Sequence, residues 1–359
     1  MCSEEQKNKN MQLNRIISSI LFFAVLFIAG CSPDPKPNGD QVDNYYFVKV
    51  GNVALPVRVC GNINSDIAIV FVHGGPGGSA QAERGNVYWK EIEKYYKVIY
   101  YDQRGSGVTQ GNTKPEEMSI EQFSEDLDNI VDFTKQVAKA NKIFIHGASW
   151  GGGLATYYLL DTAHQNKLKG AIIESPAYDI KNGALLSIQW LLQKADSMIA
   201  LGKNIDYWNN CKERYTANPI LTKDDFKQHQ LYLTQVFGLV ANPANIQVQT
   251  VSVPKIEVSL SYSNAEFAPA TLTYEGQSIF TNLDLTSKLN KIALPLMLVW
   301  GDKDGLLPKN NLAQKFADNI SSTDLTYDDT KYLLSAHLPH FEEWQQFQID
   351  TKIFVEAHK

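Results

Sequence analysis

Short, nearly continuous apolar runs recur along this chain of 359 residues, and they constrain its fold more than any other feature. They fall at residues 67–72, 98–101, 142–146, 168–173 and 294–300. A strand with one wet face alternates apolar and polar side chains, whereas a strand that is apolar almost throughout must be covered on both faces. That condition is met in a parallel sheet held between two layers of helices. Helix-compatible stretches lie between or after these runs, at 88–96, 120–140, 151–163, 310–319 and 341–357, with a weaker strand pattern at 325–327. Strand and helix taking turns predicts an α/β fold, a mostly parallel twisted sheet flanked by helices. Residues 45–59 alternate about Gly51-Asn52, which predicts an opening hairpin.

The rhythm breaks between Tyr178 and Thr286, where helical segments at 183–200 and 224–239 follow one another without a clear buried strand. The pattern predicts a largely helical cap inserted after the sixth strand. Residues 45–177 and 287–359 then form the two parts of one core, and residues 178–286 form its insertion.

The N-terminus reads as a targeting segment. An apolar stretch at 16–30 follows Lys7, Lys9 and Arg15 and closes on Ile28-Ala29-Gly30-Cys31. It is shorter than the roughly 20 apolar residues of a spanning helix. Small residues before a cysteine resemble the bacterial lipobox, which implies a signal peptide over residues 1–31, lipidation of Cys31 and residence in the bacterial cell envelope, facing the periplasm or the surface. Residues 32–44, rich in proline and polar side chains, are expected to be a flexible tether.

Thirty-three basic against 39 acidic residues give a net charge of −6, and no basic cluster is long enough for a nucleic-acid footprint. Past Cys31 only Cys60 and Cys211 remain, one in an early strand pattern and one in the cap, so no disulfide is expected. Spacings for a Cys or His zinc site are absent, and neither a metal nor another cofactor is expected.

Chemistry concentrates in motifs at the ends of the expected strands, where ligands bind in open α/β sheets. Gly147-Ala148-Ser149-Trp150-Gly151 joins the run at 142–146 to a helical stretch, the setting of a nucleophilic serine on a sharp turn. The helix that follows directs its N–H groups and positive dipole end at the serine. His73-Gly74-Gly75-Pro76-Gly77-Gly78 follows the run at 67–72. A backbone N–H there, from Gly75 or alternatively Gly74, can pair with that of Trp150 to hold an oxyanion. Gly301-Asp302-Lys303-Asp304-Gly305 follows the run at 294–300 and offers a carboxylate. Asp304, deeper in the loop, is preferred over Asp302, which suits a turn. The loop Ser335-Ala336-His337-Leu338-Pro339-His340 supplies a histidine base, and His337 is preferred because His340 stands closer to the helix start.

Two of these segments, His73-Gly74-Gly75-Pro76-Gly77 and Gly147-Ala148-Ser149-Trp150-Gly151-Gly152, taken with Tyr101-Asp102-Gln103-Arg104-Gly105-Ser106-Gly107, resemble the proline iminopeptidase branch of the α/β-hydrolases, peptidase family S33. The resemblance implies the α/β-hydrolase fold and attack by Ser149 on a carbonyl carbon. It also implies an oxyanion N–H from Trp150 and no metal. Asp102 and Arg104 are expected to tie down their own loop. In that family cap glutamates hold the free amino end of a peptide; Glu213, Glu257, Glu266 and Glu275 are available, as is Glu174 at the end of a core strand, and Glu174 is taken as the candidate substrate binder. Trp190, Tyr207 and Trp208 could line a pocket, although aromatics at helical spacing more often form a core. The expected activity is that of a lipid-anchored serine hydrolase releasing N-terminal residues from small peptides. The alternatives are a carboxylic ester hydrolase and a non-catalytic binding lipoprotein.

Overall fold

The computed structural model describes residues 40–217, 223–248 and 272–359. The segment expected to be a signal peptide and most of the expected tether therefore lie outside the described residues, as do Glu257 and Glu266.

Two antiparallel strands, β1 (Gln41–Val50) and β2 (Val53–Asn62), open the chain as the expected hairpin. Then come β3 (Ile67–Val72), β4 (Lys97–Tyr101), the two-residue β5 (Gln110–Gly111), β6 (Lys142–Ala148) and β7 (Gly170–Glu174). The sheet is completed by β10 (Leu296–Val299) and β11 (Leu325–Thr326). Between them a small separate hairpin pairs β8 (Thr273–Tyr274) with β9 (Gln277–Ser278). The main sheet runs β1-β2-β4-β3-β6-β7-β10-β11, with β5 on β2, and every pairing from β4 to β11 is parallel.

Continuous apolarity has the predicted cause. In β3, Ala68, Val70 and Val72 join one core, while Ile67, Ile69 and Phe71 join the other. The first core lies under α2 (Ile120–Gln136), α3 (Trp150–Tyr158) and α7 (Lys309–Asn319), which contribute Leu127, Leu154 and Phe316. The second lies under α1 (Val87–Glu93) and α8 (Trp344–His358), through Trp89 and Phe347. Helices on both faces make three layers.

The first strand starts at Gln41 rather than near Tyr45, because Asp43 looks like tether but is tied by Arg58 Nε at 2.6 Å and Nη2 at 2.8 Å across the hairpin. The stretch at 151–163 is also broken: α3 ends at Tyr158, and Asp161 caps a new turn at Thr162–Gln165 by accepting from Ala163 N–H.

The insertion follows β7, the sixth strand if the two-residue β5 is left uncounted. It holds α4 (Ile180–Ala200), α5 (Ile205–Ala217) and α6 (Lys223–Gln235), which enclose a small core of Leu191, Ala195, Trp208, Cys211, Tyr232 and Leu233. Trp190 and Tyr207 pack against that core, so the three aromatics serve the interior of the cap. Cys60 and Cys211 are both buried free thiols.

Truncating Phe144→Ala, fully buried between β6 and α8, should cost about 3–5 kcal/mol in urea unfolding. Leu201→Ala, 65% exposed, should stay within about 0.5 kcal/mol of the parent.

Candidate active site

Ser149 stands between β6 and α3 with φ 58° and ψ −122°, a region that side chains adopt only under constraint. The constraint is packing. A Cβ on Gly151 would overlap the carbonyl oxygens of Val72 and His73, and one on Gly147 would fall 2.8 Å from Ala155 Cβ. Only glycine lets the start of α3 press this closely on β3, and that approach lifts the serine hydroxyl out of the turn. The Ser149 N–H donates to Glu174 O at 2.9 Å, which ties the turn to β7.

The loops after β10 and β11 bring the other two groups to it. His337 Nε2 lies 2.8 Å from Ser149 Oγ, and His337 Nδ1 lies 2.8 Å from Asp304 Oδ2. With Nδ1–H donating to the carboxylate, Nε2 is left to accept the serine proton. The other Asp304 oxygen accepts the N–H groups of Leu306 and Leu307, both at 2.9 Å, so this buried carboxylate cannot swing away. Burial alone would lower the affinity of His337 for a proton, but the charge and hydrogen bond of Asp304 outweigh it and raise its pKa above the ordinary value. Asp302 is half exposed and pairs with Lys309, as a turn residue does.

Gly75 lines one cavity with Ser149 and Trp150. Trp150 opens α3, so its N–H has no acceptor one turn back and is free to face a developing oxyanion. Gly74 packs against the nucleophile itself, since a Cβ there would stand 3.3 Å from Ser149 Cβ.

The Asp-Gln-Arg-Gly segment is structural, although Asp102 and Arg104 do not pair with each other. Asp102 accepts from Ser79 Oγ and from the N–H groups of Gln81 and Val108, and Arg104 grips Asp126 of α2 with two bonds of 2.6 Å. No periodicity or spacing in the sequence signals the role of Gln103. Its amide nitrogen donates to His73 O at 2.8 Å while its oxygen accepts from Trp150 Nε1 at 2.9 Å, bolting the glycine-rich loop to the nucleophile turn. His73 Nε2 accepts from Gln103 N–H, and burial pushes the ring pKa down to about 4, so it serves as a neutral strut.

Glu174 is not where a substrate binder would have to be. It is fully buried, and its two oxygens are spent on His340 N–H at 2.9 Å, His340 Nδ1 at 2.7 Å and His146 Nε2 at 3.1 Å. Its place at a strand end suggested a binding role, but a sequence does not reveal which side of the strand end the side chain takes. Glu275 is exposed and bonded to Lys288, and Glu213 lies on α5.

Among the described residues, His146, Glu174 and His340 are also a group that could hold a metal ion, their donor atoms lying within 4.8 Å of one another. Two rings converging on one carboxylate oxygen at 2.7 and 3.1 Å fit hydrogen bonds. Donors around a shared tetrahedral zinc would stand about 3.3 Å apart.

With this geometry in place, similarity to known proteins is informative. A family profile described as serine aminopeptidase, S33, matches residues 64–237. A proline iminopeptidase of Thermoplasma volcanium is 23% identical over 87% of this chain and 96% of its own length. A probable aminopeptidase of Bacillus subtilis is 30% identical, over only 31% of this chain and 35% of its own. The crystal structure of the proline iminopeptidase of Mycobacterium smegmatis superposes with a TM-score of 0.58 at 16% identity, covering 88% of this chain and 98% of that one. The chain has the α/β-hydrolase fold. Within that fold its site is equipped for serine-hydrolase chemistry, with Ser149, His337 and Asp304 in hydrogen-bonded series at a cavity that Gly75 and Trp150 also line.

If this α/β-hydrolase uses His337 as its base, that ring must be neutral to act. Its raised pKa then places the acid limb of the kcat/KM profile above the ordinary histidine value of about 6.5. Asp304→Asn should move that limb to lower pH and cut kcat by roughly 10⁴-fold, as measured on any ester that the enzyme turns over.

Proposed function

We propose that this protein is a lipid-anchored serine hydrolase of proline iminopeptidase type, releasing N-terminal residues from small peptides. The observation that carries the hydrolytic part is the unbroken series Asp304, His337, Ser149 at hydrogen-bond distances. In the proposed cycle His337 takes the proton as Ser149 Oγ attacks the carbonyl carbon, and the oxyanion accepts from the Gly75 and Trp150 N–H groups. Collapse passes the proton to the leaving amine and leaves an ester on Ser149. Water, deprotonated by the same histidine, then hydrolyses it.

Similarity to proline iminopeptidases over most of the chain supports the peptide reading. One observation favours the alternative, a carboxylic ester hydrolase. The cavity at Ser149 is walled by Pro76, Ile180, Phe226, Phe280, Leu306 and Leu307, and among the described residues no carboxylate lines it to meet a substrate ammonium. Glu257 and Glu266, in the undescribed part of the cap, are the candidates to supply that charge.

Proline and alanine arylamides assayed beside p-nitrophenyl esters separate the two readings. The aminopeptidase reading predicts turnover of free-amine arylamides, loss of that turnover when the amine is acetylated, and a raised KM in Glu257→Gln or Glu266→Gln. Esters cleaved with every arylamide untouched would transfer the assignment to the esterase.

The anchor is a separate part of the proposal. None of the described helices is long and apolar enough to cross a membrane, and attachment through Cys31 is inferred from the small residues before it. Radiolabelled palmitate should enter the wild-type chain and shift it into the detergent phase, and neither should occur in Cys31→Ala. Equal labelling of that variant would refute the anchor.

A further inference from the structure

Deep in the core, next to the triad but outside the steps assigned to it, lies a second acid–histidine assembly. Glu174 ends β7, in register with Ala148 of β6, one residue from the nucleophile. Its carboxylate meets three donors, His146 Nε2 from β6 and both the ring Nδ1 and the backbone N–H of His340. Bonding at Nε2 leaves His146 Nδ1 to accept from the Tyr88 hydroxyl 3.3 Å away, which in turn lies 3.1 Å from Thr351 Oγ1. The rings are boxed in by Phe71, Trp89 and Phe347, and His146 stacks on Phe347 at 5.4 Å. On the far side of His340, its buried Nε2 makes no hydrogen bond and faces Glu83 at 3.8 Å, whose carboxyl burial pushes up to about 7.

What this assembly holds is the histidine loop. His340 sits in the turn Pro339–Glu342, three residues beyond His337. The same turn grips the loop from its own side, Glu342 accepting from Ala336 N–H at 2.8 Å and Glu343 from Leu334 N–H at 3.1 Å. Glu174 ties that turn to the end of β7, while His337 N–H on Leu239 O, Asn242 N–H on Glu342 and Lys303 N–H on Ser335 O tie the loop and its turn to the segment after α6 and to the acid loop.

We propose that Glu174 is a positioning residue for the base: by clamping both the ring and the backbone of His340 to the end of β7, it fixes where His337 stands relative to Ser149. Its carboxylate also adds a second negative charge near His337. The ionisable groups facing His337 are Asp304, Glu174 and Glu342, and those facing Glu174 are His146, His340, His337, Glu83, Tyr88 and Tyr332. The two histidines overcome the cost of burial and hold Glu174 ionised, with its pKa at about 2. This role rests on the serine-hydrolase reading of Ser149.

Glu174→Gln tests it, because an amide offers one acceptor oxygen and a donor group to three N–H donors, and a backbone N–H cannot reverse its role. In the full-length protein with ¹⁵N-labelled histidine, the His337 signal, assigned by its loss in His337→Gln, should titrate about half a pH unit lower in Glu174→Gln. On a p-nitrophenyl ester kcat should fall about 10- to 100-fold with KM within about two-fold. Glu174→Asp keeps the charge and should return the His337 midpoint to the wild-type value while kcat stays depressed. A folded Glu174→Gln with wild-type midpoint and kcat would overturn the proposal. If that variant does not fold, wild-type kcat in Glu174→Asp would overturn it instead. Absence of any turnover by the wild type would sink the functional reading and this role with it, whereas an active wild type matched by an equally active, folded Glu174→Gln would sink this role alone.

Discussion

The contact on which the rest of the site depends is the approach of Gly151 to the carbonyl oxygens of Val72 and His73. It sets α3 hard against the ends of β3 and β6, and it holds Ser149 at a positive φ. Trp150 at the start of α3 and Gly75 of the glycine-rich loop line one cavity with Ser149. A strained nucleophile is tolerable only where surrounding packing over-determines it. Here that packing is two buried cores, one on each face of the sheet, with the serine at their common edge.

Around that fixed point the catalytic groups come from loops, each restrained by its own bonds. Asp304 is locked by two backbone N–H groups, the histidine loop by Glu342, Glu343 and Glu174, and the glycine-rich loop by Gln103. The cap reaches two of these loops directly. Gly305 N–H donates to Gly238 O, and His337 N–H donates to Leu239 O, so the segment after α6 touches the acid loop and the base loop at once. Ser187 of α4 adds a third tie, bonded at once to His229 of α6 and to Gly305 O. The inserted helices and the Asp304–His337–Ser149 series are therefore physically connected.

Much of this was legible in the sequence because it rests on period and spacing. Strands buried on both faces announce themselves as apolar runs, and the positions just after them are where Ser149, Asp304 and His337 stand. The start of β1 was hidden because its polar residues are satisfied across the hairpin by partners such as Arg58. The misplacement of Glu174 has a different origin. Its position along β7 could be read, but the direction of its side chain depends on His146 and His340, which are 28 residues before it and 166 after it. Gln103 was visible within a motif, yet its bridge between His73 and Trp150 exists only once three separate segments have folded together. Long-range hydrogen bonds between buried polar groups leave no periodic trace.

The central claim is that Ser149 is a nucleophile activated by His337, and covalent trapping tests it most directly. A fluorophosphonate probe followed by peptide mass spectrometry should find one adduct per chain, on Ser149, with the rate of labelling collapsing in His337→Ala and Asp304→Ala. Labelling at another residue, or labelling of Ser149 at an undiminished rate without His337, would contradict the account.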